Sequence, residues 1–426
     1  MVGSLPFLTT YDPSATSEGT LDPLGLYQIA DQLAVQLVPA VRERMQRIRF
    51  LTAMTVGALV TEDLDDNPEV RDASPYLVWE WLVVEALMRT KGEDPGVWGI
   101  PGTLVARRAL NQHGYLDARS YLKTPRIFGF HGVYKRLAIH LRLVDVHLRP
   151  GPNADGLADT WARSIGFRNL DDAKPLLSSW TTELRRCLRE KPPRTRPYWT
   201  NKNWLELADA FSPHSCRFQE RRYLRNLLLD ERERHLGALP TLWQLLSDSK
   251  EDVTEEALHD LLAQREPSNA SLLHAIRSYE AFARALHDAF DLLRAEATSL
   301  DARGFEITNM ANDSDFKLSI NNLHQRFATA HQALNEFNAK DLFDHRFGTF
   351  AEPLDAGACA LALCAHHEEI QRAKSATGKR PWFDRIDQRR IYIRHAYREK
   401  KREIQPDSYL HDYRSRPIRN FYNDLT

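Results

Sequence analysis

Arg390 and His395 stand with four residues between them in the stretch 389–398, a spacing at which a guanidinium can steady a phosphodiester while an imidazole moves a proton. With 44 arginines and 16 histidines in the chain, about five such pairs arise by chance over spacings of four to six intervening residues, so the pattern alone carries little weight. Cys359, Cys364, His366 and His367 fall on one expected helix. A zinc site needs ligands converging from at least two elements, and two cysteines five positions apart on a helix face different ways. Cys359 lies in a run of alanine and leucine, as a buried helix contact would, and Cys187 and Cys216 read the same way. The acidic groups Asp63/Asp65/Asp66, Glu255/Glu256 and Asp313/Asp315 lack the strand context of a nuclease centre. Phosphate-binding glycine loops, nucleophile elbows and His-Glu-x-x-His are absent from the sequence. No catalytic residue, metal or cofactor is assigned on these grounds.

The charge distribution is more informative. A formal net charge of −1 conceals alternating blocks: −8 over 1–103, +10 over 104–196, −11 over 197–371 and +8 over 372–426. Two basic blocks separated by an acidic one suit either a polyanion or contacts between domains. The C-terminal block interleaves Arg389, Arg390, Arg394 and Arg398 with Tyr392 and Tyr397, then adds Lys400, Lys401 and Arg402. Arginine alternating with tyrosine can hold phosphates and stack on bases, or can pack a basic helix face onto the acidic block.

The first basic block contains the elements that would position a nucleic-acid contact. Val133, Leu137 and Leu141 repeat every four residues and predict a helix over 131–141. Leu143-Val144-Asp145 has strand character, the turn at 150–153 follows, and a helix carrying Leu157 and Trp161 comes next. Helix, strand, turn and helix in this order resemble a winged helix-turn-helix module, with helices at 76–90 and 103–112 as its earlier members. A recognition helix fits the major groove. In that register His131, Tyr134 and Lys135 point outward, with Lys123 and Arg126 just before the helix. Lys135 and Arg136 would hold phosphates, and Arg149 would sit on the wing. Residues 104–150 hold 9 basic and 2 acidic side chains, a source of affinity through counterion release.

A helical protein with an embedded winged helix and a basic tail resembles accessory proteins encoded in bacterial phage-defence operons. The resemblance covers mainly 76–170 and implies a non-catalytic DNA-binding subunit of a multi-protein complex, with duplex DNA and other protein subunits as partners. Arg390 and His395 are similar to the Arg-x4-6-His pattern of HEPN-type ribonucleases, which is a third reading. The second is a helical protein–protein scaffold without nucleic-acid contact.

The remaining pattern is that of a helical scaffold. The chain has 426 residues, 42% hydrophobic and 27% charged, enough for two or three domains with cores of their own. No apolar run reaches the roughly 20 residues of a membrane span. Residues 1–11 lack a basic start and an apolar stretch, so no signal peptide is expected. Four cysteines in so long a chain suggest a reducing, cytoplasmic setting. The fold expected is all-α and multidomain, with the small winged-helix module and at most one β-hairpin. Composition divides it into 1–75 (arm and helices), 76–190 (basic winged-helix-like domain), 198–376 (acidic helical domain) and 377–426 (basic tail). The proline-rich stretch 191–197 reads as the linker.

Overall fold

The computed structural model describes residues 22–64, 73–91, 99–121, 129–196, 198–230, 236–249, 253–298, 304–374, 379–400, 404 and 408–426. The protein is mostly helical, with seventeen α-helices and three short strands among these residues. In chain order the helices begin with α1 (Tyr27–Leu37), α2 (Phe50–Thr61), α3 (Pro75–Lys91), α4 (Thr103–His113), α5 (Phe130–His140) and α6 (Ala154–Ser164). Next come α7 (Leu170–Arg189), α8 (Asn201–Phe211), α9 (Phe218–Leu228), α10 (Leu239–Asp248), α11 (Glu255–Arg265) and α12 (Ala270–Thr298). The last are α13 (Ser314–Ser319), α14 (Leu323–Ala333), α15 (Ala339–Phe347), α16 (Ala356–Ala373) and α17 (Ser415–Leu425). The strands are β1 (Phe305–Glu306), β2 (Phe383–Arg385) and β3 (Arg390–Ile393). None of the described helices is long and apolar enough to cross a membrane.

Two compact units emerge, each built from separate stretches: unit 1 from 1–37 and 249–413, unit 2 from 38–248 and 414–426. Composition puts divisions near 75, 190–198 and 376, whereas spatial contacts divide the chain at 37/38, 248/249 and 413/414.

Unit 2 is organised around α2, whose sequence is apolar on every side and whose residues are buried almost throughout. Helices α3, α5, α6 and α7 pack around it. The Trp79 indole donates to the Ala53 carbonyl at 3.0 Å. It lies so close to α2 that a Cβ on Gly57 would sit 2.3 Å from the ring. Trp79, Trp161, Trp180 and Phe211 form one aromatic cluster, with Trp161 and Phe211 stacked at 5.7 Å. The C-terminal helix α17 packs on α9 and α10. Its Asp424 accepts the Ile48 N–H at 3.2 Å and pairs with Arg47.

Unit 1 is organised around the long α12, against which α1, α11, α14, α16 and β3 pack. The Asp22 carboxylate accepts the N–H groups of Leu24 and Tyr27, at 3.3 and 2.8 Å, and so starts α1 at Tyr27. The sequence predicts one helix over 316–339. It is instead broken into α13 and α14, with Asn322 in the left-handed region at φ 56° between them, and the chain leaves α14 at Ala333. The sequence over 301–315 reads as a loop; its described part contains β1, a 3₁₀ turn at Ile307–Asn312 and the start of α13. β3 pairs with β2 in a hairpin (Phe383↔Ile393, Asp384↔Tyr392) and with β1 on its other side (Phe305↔Ile391). A two-residue strand is too short to show alternation in a sequence.

Candidate nucleic-acid interface

Helix α5 forms where its apolar spacing predicts, but its facing differs from the sequence expectation. Tyr134 does not point outward. It is fully buried, and its hydroxyl accepts the N–H groups of Gln46 and Arg47 at 3.2 and 3.1 Å. Burial drives that hydroxyl's pKa well above its ordinary value. The inward face is wider than a four-residue repeat implies: Phe130, Val133, Tyr134, Leu137 and Ala138 all face in, onto α2. Phe130 stacks on Phe50 at 5.0 Å, and Tyr134 meets Phe50 edge-on. His131, Lys135 and Arg136 are half-buried. The His131 N–H donates to Glu80 at 3.1 Å, and the Lys135 ammonium donates to the Val146 carbonyl at 2.6 Å. Every residue of α5 is buried or half-buried, so its outer side is narrow for a helix that must enter a groove. Lys123 and Arg126 lie outside the described residues.

The segment after α5 turns back on itself more tightly than a wing of two strands. Val144 and Pro150 form a single antiparallel bridge, and Asp145 organises the turn between them. Its carboxylate accepts the N–H of His147 at 2.8 Å and of Arg149 at 2.9 Å. Gly151 is required here, because a Cβ would sit 2.3 Å from the Arg142 carbonyl oxygen. The Arg149 side chain is exposed at this loop, as a wing cation would be.

The C-terminal cations are arranged differently from a row of free charges. Arg390 pairs with Asp387 at 2.7 Å, and Arg394 pairs with Asp384 across the hairpin. Arg398 reaches the Tyr392 hydroxyl and lies over its ring. Arg389 and Lys400 are exposed, while Lys401 and Arg402 lie outside the described residues. Tyr397 is not free for a base: it stacks on Trp382 at 4.8 Å, nearly parallel. Arg390 and His395 fall on β3 and on a 3₁₀ turn, and Arg390's guanidinium is engaged by Asp387.

The histidines and cysteines of α16 serve the interior of unit 1. His366 and His367 contact the carbonyls of Leu24 and Pro23, each at 2.8 Å. Cys359 and Cys364 are buried, and burial pushes both thiols up to about 12. Among the described residues no group of three metal-ligating side chains converges.

The stretch that reads as a linker in the sequence, 191–197, lies within a longer run of cations, several of them exposed. Residues 185–202 hold seven basic side chains and one acidic. The stretch is fastened at its centre. Buried Thr195 donates its N–H to the Leu116 carbonyl at 2.9 Å, accepts the Leu116 N–H at 2.8 Å, and bonds Glu85 through its hydroxyl. Arg194 pairs with Glu190 at 2.9 Å and lies over the Tyr115 ring. Arg185, Arg189, Lys191, Arg196 and Lys202 are exposed, and among the described residues none has a side-chain hydrogen bond or ion pair. Tyr198, in their midst, is 79% exposed. The charge of the 104–196 block was the signal for this surface, but its prolines mask it as a spacer.

Comparison of the chain with protein-family models, with curated proteins and with solved structures gives no match.

Proposed function

We propose that this chain binds nucleic acid through the cationic face of unit 2, and that it does so chiefly by backbone contacts. The observation that carries this reading is the set Arg185, Arg189, Lys191, Arg196 and Lys202, exposed and unpaired on a stretch with a single acidic residue. A cation already paired with a carboxylate gains little by meeting a phosphate, since it must give up one partner for the other. An unpaired one displaces condensed counterions from the polyanion and gains their release entropy. The same argument ranks the C-terminal hairpin lower, because Arg390 and Arg394 are held by Asp387 and Asp384. That pairing favours a structural role for the tail, as the scaffold reading has it.

The finer reading of a winged helix keeps a smaller place in the proposal. Its order of parts is retained in α5, the loop bridged at Val144 and Pro150, and α6. Arg149 on that loop would add a phosphate contact. Duplex reading by α5 is not the favoured mode, because Tyr134 and its neighbours turn inward and leave the outer side half-buried. A place beside a separate catalytic subunit, as the resemblance to phage-defence accessory proteins implies, belongs to the same proposal.

The test is a titration of labelled 20-mer DNA, single-stranded and duplex, at several salt concentrations. A log–log slope of about −0.9 per neutralised phosphate for duplex, or about −0.7 for single strands, is expected. The variant Arg189→Ala/Lys191→Ala/Arg196→Ala should weaken binding and flatten the slope by about two to three contacts. Absence of binding by the wild-type chain at about 50 mM salt, or a folded triple variant that binds with an unchanged slope, overturns the proposal.

A further inference from the structure

We infer that Tyr198 is a stacking platform for an unpaired base, so that the cationic face of unit 2 takes single-stranded nucleic acid in preference to duplex. The inference rests on the nucleic-acid reading above and adds the class of strand. A lone exposed aromatic ring is ordinary. Tyr198 differs in how it is mounted. The Arg186 guanidinium lies over its ring with the carbon 4.0 Å from the centroid, while the side chain as a whole stays 79% exposed. Glu183 holds both parts of this arrangement. It accepts the Tyr198 N–H at 3.0 Å and pairs with Arg186 at 2.8 Å.

The residues that follow are anchored as well. Trp199 packs edge-on against the largely buried Trp204 at 4.8 Å, and Thr200 with Asn203 forms the capping box that starts α8. Tyr198 is thus presented from an ordered segment, with a cation against one face of its ring. A stacked base on the other face would extend the arrangement to guanidinium, ring and base. The cations Arg189, Lys191, Arg196 and Lys202 flank it in sequence and can follow a phosphate backbone. A duplex keeps its base faces stacked on each other and offers this ring nothing. A single strand offers a π-face at every nucleotide, which a tyrosine can use whatever the base.

The experiment uses the full chain and four probes of equal length: oligo(dT), oligo(U), an abasic deoxyribose-phosphate strand and a DNA duplex. Tyr198→Ala should lose on the order of tenfold or more in affinity for oligo(dT), oligo(U) or both, with little change for the abasic strand and duplex. Tyr198→Phe keeps the ring and should bind as the wild type does. The tighter of the two oligonucleotide arms identifies which of these strands the site prefers. An equal loss on the abasic strand, or no loss on either oligonucleotide, overturns the stacking role. Failure of the underlying reading looks different: the triple cation variant then leaves binding of every probe unchanged, or the wild type binds none of them.

Discussion

His367 accepts the N–H of Trp382 on its Nε2 at 2.9 Å, and this fixes the state of the whole imidazole. An amide can only donate, so Nε2 must be bare. The Pro23 carbonyl, 2.8 Å from Nδ1, can only accept, so Nδ1 must carry the proton. The ring is therefore neutral, stacked on Phe290 at 4.9 Å, and it ties the start of unit 1 to the strand region that follows α16. Burial pushes its pKa down to about 4, with the charges of Lys374, His366 and Arg294 adding to the fall and the Pro23 contact opposing it.

The contribution of His367 to stability should accordingly fall with acidification. The unfolded chain protonates His367 near 6.5 and the folded protein only near 4, so the stabilisation is complete above about 6.5 and lost as pH falls towards 4. His366, also pushed down by burial, acts in the same direction. In urea unfolding between pH 4 and 7, His367→Gln should show a pH dependence shallower by about one proton. Parallel curves for wild type and variant would sink the assignment.

Glu80 gives the opposite sign in unit 2. Its carboxyl is fully buried at the start of α5, with one oxygen accepting the His131 N–H and the other without a hydrogen bond. Burial raises its pKa to about 8, against the lowering effect of the His131 and Phe130 amides. The folded protein then keeps a proton that the unfolded chain releases near 4.5. Its contribution is complete below that pH and is lost as pH rises through about 8, on the order of a few kcal/mol. Glu80→Gln should remove this loss, and thermal melts from pH 5 to 9 measure it. A variant that destabilises equally at both ends of the range would contradict the account.

Arg49 and Glu220 form a buried, two-pronged ion pair, Nε to Oε1 and Nη2 to Oε2, each at 3.1 Å. Thr52 donates to the same carboxylate at 2.9 Å, and Arg49 also reaches the Ser212 carbonyl. Removing one partner leaves a charge in the interior, so Arg49→Ala or Glu220→Ala should each cost about 3–5 kcal/mol. Arg49→Ala with Glu220→Ala should cost less than the sum of the two single truncations. Denaturant titration of the three variants decides it, and strictly additive losses would show that the pair is not coupled.

The four cysteines are free and buried. Burial pushes the thiols of Cys187, Cys359 and Cys364 up to about 12 and Cys216 higher still. The thiolate is the reactive form, so a chromogenic disulfide reagent at pH 8 should label none of them quickly in the folded protein and all four after denaturation. Rapid labelling of one thiol in the native state would reveal an opening at that site.

Much of the helical framework is legible in the sequence, because helix formation depends on local periodicity and caps. The expected helices at 76–90, 103–112 and 131–141 appear as α3, α4 and α5 within about a residue of their expected ends. What the sequence could not determine was where polar groups find partners. Tyr134 has the composition of a solvent-facing residue, yet its partners are Gln46 and Arg47, 88 and 87 positions away. Arg390 and Arg394 count as basic charge in any sequence window, yet their charge is spent on Asp387 and Asp384 by a turn and a strand register. The stretch 191–197 reads as a linker because its prolines exclude helix. The bonds of Thr195 to Leu116 and Glu85 and of Arg194 to Glu190 fasten it, so that Lys191 and Arg196 stay exposed and Tyr198 stands under Arg186. Local preference is a property of neighbours in the chain, whereas charge pairing and burial are properties of neighbours in space, and those are created only when distant segments close on each other.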